Sequence, residues 1–171
     1  MSTQIVTGKV RFSFAFLAKP RKNDRDEDKF SVTVLLPKSD TATIKAIREA
    51  EKEAAHKKFP GKPATFYSAI KSVIHDGDGL RPAGEAFGPE CKGCWVFTAS
   101  TGDRPGVVDE NLQPLLEPIK SGDYGRVDVN FYGFDTAGNR GVAAGLNNVQ
   151  LLERGESLGG RRDAATAFGG F

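Results

Sequence analysis

A mainly β domain carrying one long helix is the fold class that this 171-residue sequence predicts. Three observations predict it. Five segments read as strands, most of them alternating apolar and polar residues with a period of two. A single segment, residues 40–59, places apolar residues at helical spacing. Clusters of Gly, Pro, Asp and Asn separate these segments and break regular structure. The length suits one domain with a core of its own. A formal charge of +2 excludes a global basic field, so any binding of a polyanion has to come from a local patch. No stretch approaches the roughly 20 apolar residues that span a bilayer. The opening MSTQIVTGKVRFSF lacks the apolar centre of a signal peptide, and a cytoplasmic protein is expected.

Residues 9–17 put Val10, Phe12, Phe14 and Phe16 on an apolar face and Lys9, Arg11, Ser13 and Ala15 on the other. Residues 19–29, KPRKNDRDEDK, hold no apolar anchor and should form a solvated loop. Residues 30–36 alternate again through Phe30, Val32, Val34 and Leu36, so the two strands should pair across that loop. Pro37 ends the second strand, and Ser39 or Asp40 can cap the helix that follows. Ile44, Ile47, Ala50, Ala54 and Ala55 give that helix a narrow apolar stripe, suited to lying on the outside of a sheet. Pro60, Gly61 and Pro63 stop it. Residues 65–74 are compatible with helix or strand. Asp76-Gly77-Asp78-Gly79 reads as a turn without the spacing of a calcium loop. Residues 93–100 form a strand with Trp95, Phe97 and Ala99 on one face, and residues 101–118 are irregular. A hairpin follows over 124–152, turning at 135–139. From Gly155 onward the chain cannot bury enough apolar area to order itself, which sets the expected domain at 1–154 and a flexible tail at 155–171. This order of elements suits an OB-fold, a five-stranded and partly open barrel, here with extra hairpins; a sandwich would read similarly.

The hairpin is the most informative stretch. Val127, Val129 and Phe131 alternate as a core row, leaving Tyr124, Arg126, Asp128, Asn130, Tyr132 and Phe134 on the opposite face. Aromatics interleaved with a guanidinium are what bases and phosphates require, and equally what a face buried under another element can contain. Catalytic patterns are missing: there is no nucleophile elbow, Walker loop or dinucleotide fingerprint. Asp123, Asp128, Asp135 and Glu117 could supply the carboxylates of a metal-dependent nuclease, although all but Asp128 lie where turns favour acids. Cys91 and Cys94 form a lone C-x-x-C, and His56 and His75 fall in other elements, so no zinc set is expected and the thiols should be reduced. Neither an enzyme nor a metal or cofactor is expected.

Four strings spread over residues 8–162 are KVRFSFAFL, KFSVTVLLPKSD, RPGVVDE and YGRVDVNFYGFDTAGNRGVAAGLNNVQLLERGESLGGR. They resemble a family of phage and prophage single-stranded-DNA-binding proteins. The resemblance implies an OB-fold that coats single-stranded DNA during phage replication or recombination in the host cytoplasm, without catalysis and with several copies along a strand. The C-x-x-C is not part of that pattern. On this reading the expected stacking residues are Tyr124, Tyr132, Phe134, Trp95 and Tyr67. Lys9, Arg11, Arg126 and Arg140 are the expected phosphate contacts, with Lys19, Arg21 and Lys22 on a loop that closes over the strand. Phe168 and Phe171 are candidate plugs for a pocket on a replication or recombination partner. An acidic recruiting tail is not present, because residues 158–171 hold Arg161 and Arg162 against the one acid Asp163. Two other classes remain: a virion or recombination scaffold using the same face for protein contacts, and the nuclease.

Overall fold

The computed structural model describes residues 3–22, 26–81 and 84–158; Arg161, Arg162, Phe168 and Phe171 lie outside the described residues. Five long strands curl into a cylinder: β2 (Val10–Lys22), β3 (Asp28–Pro37), β5 (Cys94–Thr101), β7 (Tyr124–Thr136) and β8 (Asn139–Glu153). Three short ones are added to it, β1 (Gln4–Val6), β4 (His75–Asp76) and β6 (Gly106–Val108). The sheet order is β1-β7-β2-β3-β5-β8-β6, with β4 on β5 and a β7–β8 pairing that closes the cylinder. The closure is irregular. β5 meets β8 in parallel through two residue pairs, Ala99 with Ala144 and Ser100 with Gly145. This is the OB-type architecture that the order of elements predicts, with eight strands in place of five.

Inside, the apolar rows of the strands meet. Phe12, Val32, Val34, Phe97, Val127, Val129 and Phe131 are at most 1% exposed. Each such side chain stabilises the fold by about 1.5–3 kcal/mol. Helix α1 (Thr41–Lys58) closes one end, with Ile47, Ala50 and Ala54 buried. Its start is fixed by Asp40, whose carboxylate accepts from the Thr43 amide at 3.1 Å and the Thr43 hydroxyl at 2.7 Å. Its small stripe permits close approach to β7: a Cβ on Gly133 would lie 2.6 Å from Cβ of Lys58. The exception in the stripe is Glu51, 7% exposed. Its carboxylate accepts from the Ser72 hydroxyl at 2.7 Å, the Val73 amide at 3.0 Å and Arg48 at 3.2 Å, tying the connection after the helix to α1. The ambiguous stretch 65–74 resolves into a short helix α2 (Ala64–Ser68) followed by extended chain.

Three expectations are corrected. The apolar row of β2 does not run through Phe14 and Phe16. Ser13 pairs with Thr33 and Phe16 with Ser31, so one extra residue is inserted in β2. That bulge reverses the parity of the strand: Leu17 becomes the buried residue at 5%, and Phe14 stands 52% exposed with φ +45°. The charged stretch 19–29 is not all loop, because β2 runs to Lys22 and β3 starts at Asp28, with Lys22 paired to Asp28. The irregular stretch 101–118 contains β6, which adds in parallel to β8. The hairpin turn is as expected. Ala137 (φ +53°) and Gly138 (φ +84°) make a two-residue turn of the hand that twisted strands favour.

Candidate nucleic-acid interface

Directly paired residues on neighbouring strands project to the same side of a sheet, so the register lays out the outer face of the cylinder. One row crosses it as Phe16, Ser31, Ser100, Gly145 and Asn130 on β2, β3, β5, β8 and β7. The next is Ser13, Thr33 and Thr98, the two threonine hydroxyls 3.0 Å apart. The centre of this face is therefore a floor of small polar residues and one glycine. Aromatic side chains stand at its two rims. Phe14 rises from the bulge on one side, and Tyr132 at 46% exposure lies over Gly145 on the other. These two are the most exposed aromatic side chains among the described residues.

A groove of about 450 Å³ runs along the β2 side, lined by Phe14, Thr33, His75, Phe87, Cys91 and Thr98. Three guanidinium groups lie over phenylalanines: Arg81, which lines the groove, on Phe87 at 5.0 Å, Arg21 on Phe16 at the β2 end of the first row at 5.0 Å, and Arg104 on Phe30 at 5.7 Å, beside a separate cavity with Leu17 and Leu115. None of these arginines joins an ion pair among the described residues. The phenyl face orients each guanidinium while leaving its N–H groups directed outward.

The wall of the groove is fixed from behind. Leu35, Cys91 and Val96 form a small buried cluster on the outer face, with Phe87, Cys94 and Leu158 packed against it. The Lys38 ammonium donates to Asp76 at 2.6 Å and Asp78 at 2.8 Å, and Asp78 accepts from the Gly93 amide at 3.1 Å. These bonds hold both carboxyls below their ordinary range and the ammonium above its own. The acidic turn thus has its cation in Lys38. Both cysteines are free thiols, and burial raises their pKa.

The residues singled out from sequence fall in five places. Tyr124, Lys9 and Arg11 meet at the β2 end of β7, where both cations sit 5.2 Å from the Tyr124 ring. There Arg11 donates to the carbonyls of Gly122 and Glu156, Lys9 pairs with Glu153 at 2.6 Å, and Gly155 packs on the ring. Arg126 donates to the Thr7 carbonyl at 2.8 Å. Tyr132 and Arg21 border the floor, with Lys19 exposed beside them and Lys22 paired to Asp26 and Asp28. Trp95 packs on the core under Lys38 and Arg48, at 4.9 and 5.5 Å.

Tyr67, Phe134 and Arg140 belong to the helical end. The Tyr67 hydroxyl donates to the Phe59 carbonyl and its ring stacks 4.0 Å from His56. The Phe134 ring covers Gly141, and Arg140 pairs with Asp135 at 3.4 Å. Of the carboxylates considered for a nuclease, Asp123 holds Arg154 and the amides of Lys120 and Gly155, Asp128 accepts from Asn148, and Asp135 pairs with Arg140. No group of three His, Cys, Asp or Glu converges among the described residues. No helix among them is long and apolar enough to cross a membrane.

Phe87, Arg81 and Arg104 were not singled out from sequence. They lie in irregular segments where no periodicity assigns a face. Phe14 was assigned inward because a bulge leaves no mark on simple alternation. Glu51 did leave a mark, as an acid between Ile47 and Ala54 on the apolar stripe.

The fold has counterparts. In structure the chain is similar to the single-stranded DNA-binding protein from bacteriophage Enc34 in complex with ssDNA, with 28% identity and a TM-score of 0.77 over 92% of this chain and 90% of that one. A further structure of the single-stranded DNA-binding protein from bacteriophage Enc34 matches at a TM-score of 0.72 and 28% identity, over 97% of this chain and 90% of that one. The fold is shared with gp2.5, a single-stranded DNA binding protein encoded by bacteriophage T7, at a TM-score of 0.61 and 17% identity over 96% and 93%. No curated protein matches the chain. The family model for the ssDNA-binding protein of Enterobacter phage Enc34 matches residues 3–170, and the chain belongs to that family.

Proposed function

We propose that the protein binds single-stranded DNA without sequence preference, on the outer face of β2, β3, β5 and β8. One observation carries the proposal: the two most exposed aromatic residues among those described, Phe14 and Tyr132, flank a floor of small polar residues and glycine. A floor without bulky side chains lets a strand lie against the sheet, and the rims offer faces on which any base can stack. Arg81 on the groove and Arg21 beside the floor, neither in an ion pair among the described residues, supply phosphate contacts. Among the five long strands β3 and β5 are the second and third in chain order, the strands whose face binds oligonucleotides in OB-folds. Membership of the Enc34 family and the neighbour solved with ssDNA support the same ligand. The setting is phage DNA replication or recombination in the host cytoplasm, with several copies along one strand and no catalytic step.

Titration of a fluorescently labelled oligothymidylate, followed by anisotropy, tests this. Binding should weaken steeply with salt and be much weaker on duplex. Phe14→Ala should lower the affinity by roughly 5- to 100-fold, the worth of one stacked base. An unchanged anisotropy at low salt would overturn the proposal.

A further inference from the structure

The charge of this chain is unevenly spread, and the excess lies outside the groove. Residues 41–74 hold seven lysines and arginines against three glutamates, a net of +4; the whole chain is +2, so the other 137 residues carry −2. One of the three glutamates, Glu51, is buried and bonded to Arg48, Ser72 and Val73. Elsewhere Lys9, Lys22, Lys38 and Arg154 are all in ion pairs. Lys52, Lys62 and Lys71 at the helical end are exposed and join none among the described residues.

These cations surround aromatic residues. Lys62 and Arg140 stand 5.5 and 5.0 Å from the Phe66 ring. The Lys71 amide donates to the Arg140 carbonyl at 3.1 Å, which puts those two side by side. Lys52, Lys71 and Tyr67 line a shallow cavity of about 160 Å³. The patch is also continuous with the floor already described. Lys71 and Ser72 line this cavity while Val73 and His75 line the groove, so one short segment borders both. From the other rim, Phe134 follows Tyr132 on the same face of β7 and rests on Gly141, next to Arg140.

We propose that the helical end is a second stretch of the nucleic-acid site, a phosphate track of Lys52, Lys62, Lys71 and Arg140 that takes the single strand as it leaves the floor past Tyr132. The inference rests on the groove being the single-strand site. An acidic protein segment could satisfy the same cations, but it would have no need of a path joined to the groove. A polyphosphate chain does.

The test compares the parent with the triple variant Lys52→Gln, Lys62→Gln, Lys71→Gln on two oligothymidylates, one of ~5 and one of ~20 nucleotides. Circular dichroism and the melting temperature serve as fold controls. On the short oligonucleotide the variant should match the parent in affinity and salt slope. On the long one, three lost phosphate contacts should make the slope of log K against log salt shallower by about 2. Between ~50 and ~200 mM salt the variant should then lose on the order of tenfold less affinity than the parent does. Equal slopes on the long oligonucleotide would overturn the track, including the case in which an acidic protein is the partner of these lysines. A parent that binds neither oligonucleotide would instead overturn the groove, and the track with it.

Discussion

Tyr124 and Tyr132 lie on the same strand and the same face, yet the fold treats them oppositely. Tyr124 is covered by Lys9, Arg11 and Gly155, and the cations over it are tied to Glu153 and to backbone carbonyls. Tyr132 stands open beside a glycine. The difference comes from what folds onto each end. At the first, residues 154–158 cross over β2 and β7, anchored where Asp123 accepts from Arg154 at 2.9 Å and from the Gly155 amide at 3.1 Å. At the second, nothing among the described residues crosses. On the proposed function, an aromatic row serves as a binding face only where its neighbours leave it unoccupied.

The comparison can be broken first at its anchor. Asp123 is 3% exposed and holds two amides and a guanidinium, so Asp123→Ala should cost about 2–4 kcal/mol of stability, read from urea denaturation. Affinity for DNA at conditions where the variant stays folded should persist. A large loss of affinity with unchanged stability would mean that the covered end is the binding end. Next in size, Tyr132→Ala should weaken oligothymidylate binding by about 1–3 kcal/mol while leaving the denaturation midpoint in place. Tyr124→Ala should do the reverse, and identical behaviour of the two variants would remove the distinction. The smallest effect sharpens the role of the opposite rim. Phe14→Gly relieves a side chain held at φ +45°, so stability should rise by about 1 kcal/mol even as binding falls. A variant that is less stable than the parent would show that the Phe14 ring packs rather than binds.

Most of the fold was legible because it rests on local rules. The period-two rows of β3, β5 and β7 located the core, and Pro37 with Asp40 located the start of α1. The site was legible only in part. Tyr132 and Arg21 could be named because alternation or a charged loop placed them outside. Phe14 could not, since one inserted residue inverts every later position of a strand and the sequence KVRFSFAFL carries no glycine or proline to mark it. Nor could the covering of Tyr124, which depends on contacts between residues more than 100 apart in the chain, as in the bond from Arg11 to Gly122. Phe87 and Arg81 depend on the path of an irregular loop, where composition gives no direction.

The seam between β5 and β8 has a consequence of its own. β7 is zipped to β8 over most of its length, but two seams of the cylinder are short: β5 meets β8 only through Ala99 with Ala144 and Ser100 with Gly145, and β2 meets β7 only through Val10 with Gly125 and Arg11 with Tyr124. Short seams of a cylinder breathe before its long ones, and their amides are among the first to trade protons with water. Because Ser100 and Gly145 also form the middle of the floor, a strand of DNA bound as proposed would act as a splint over this one of the two joints. Occupancy of the site should therefore be visible as slowed hydrogen exchange in that seam, well before any change of shape.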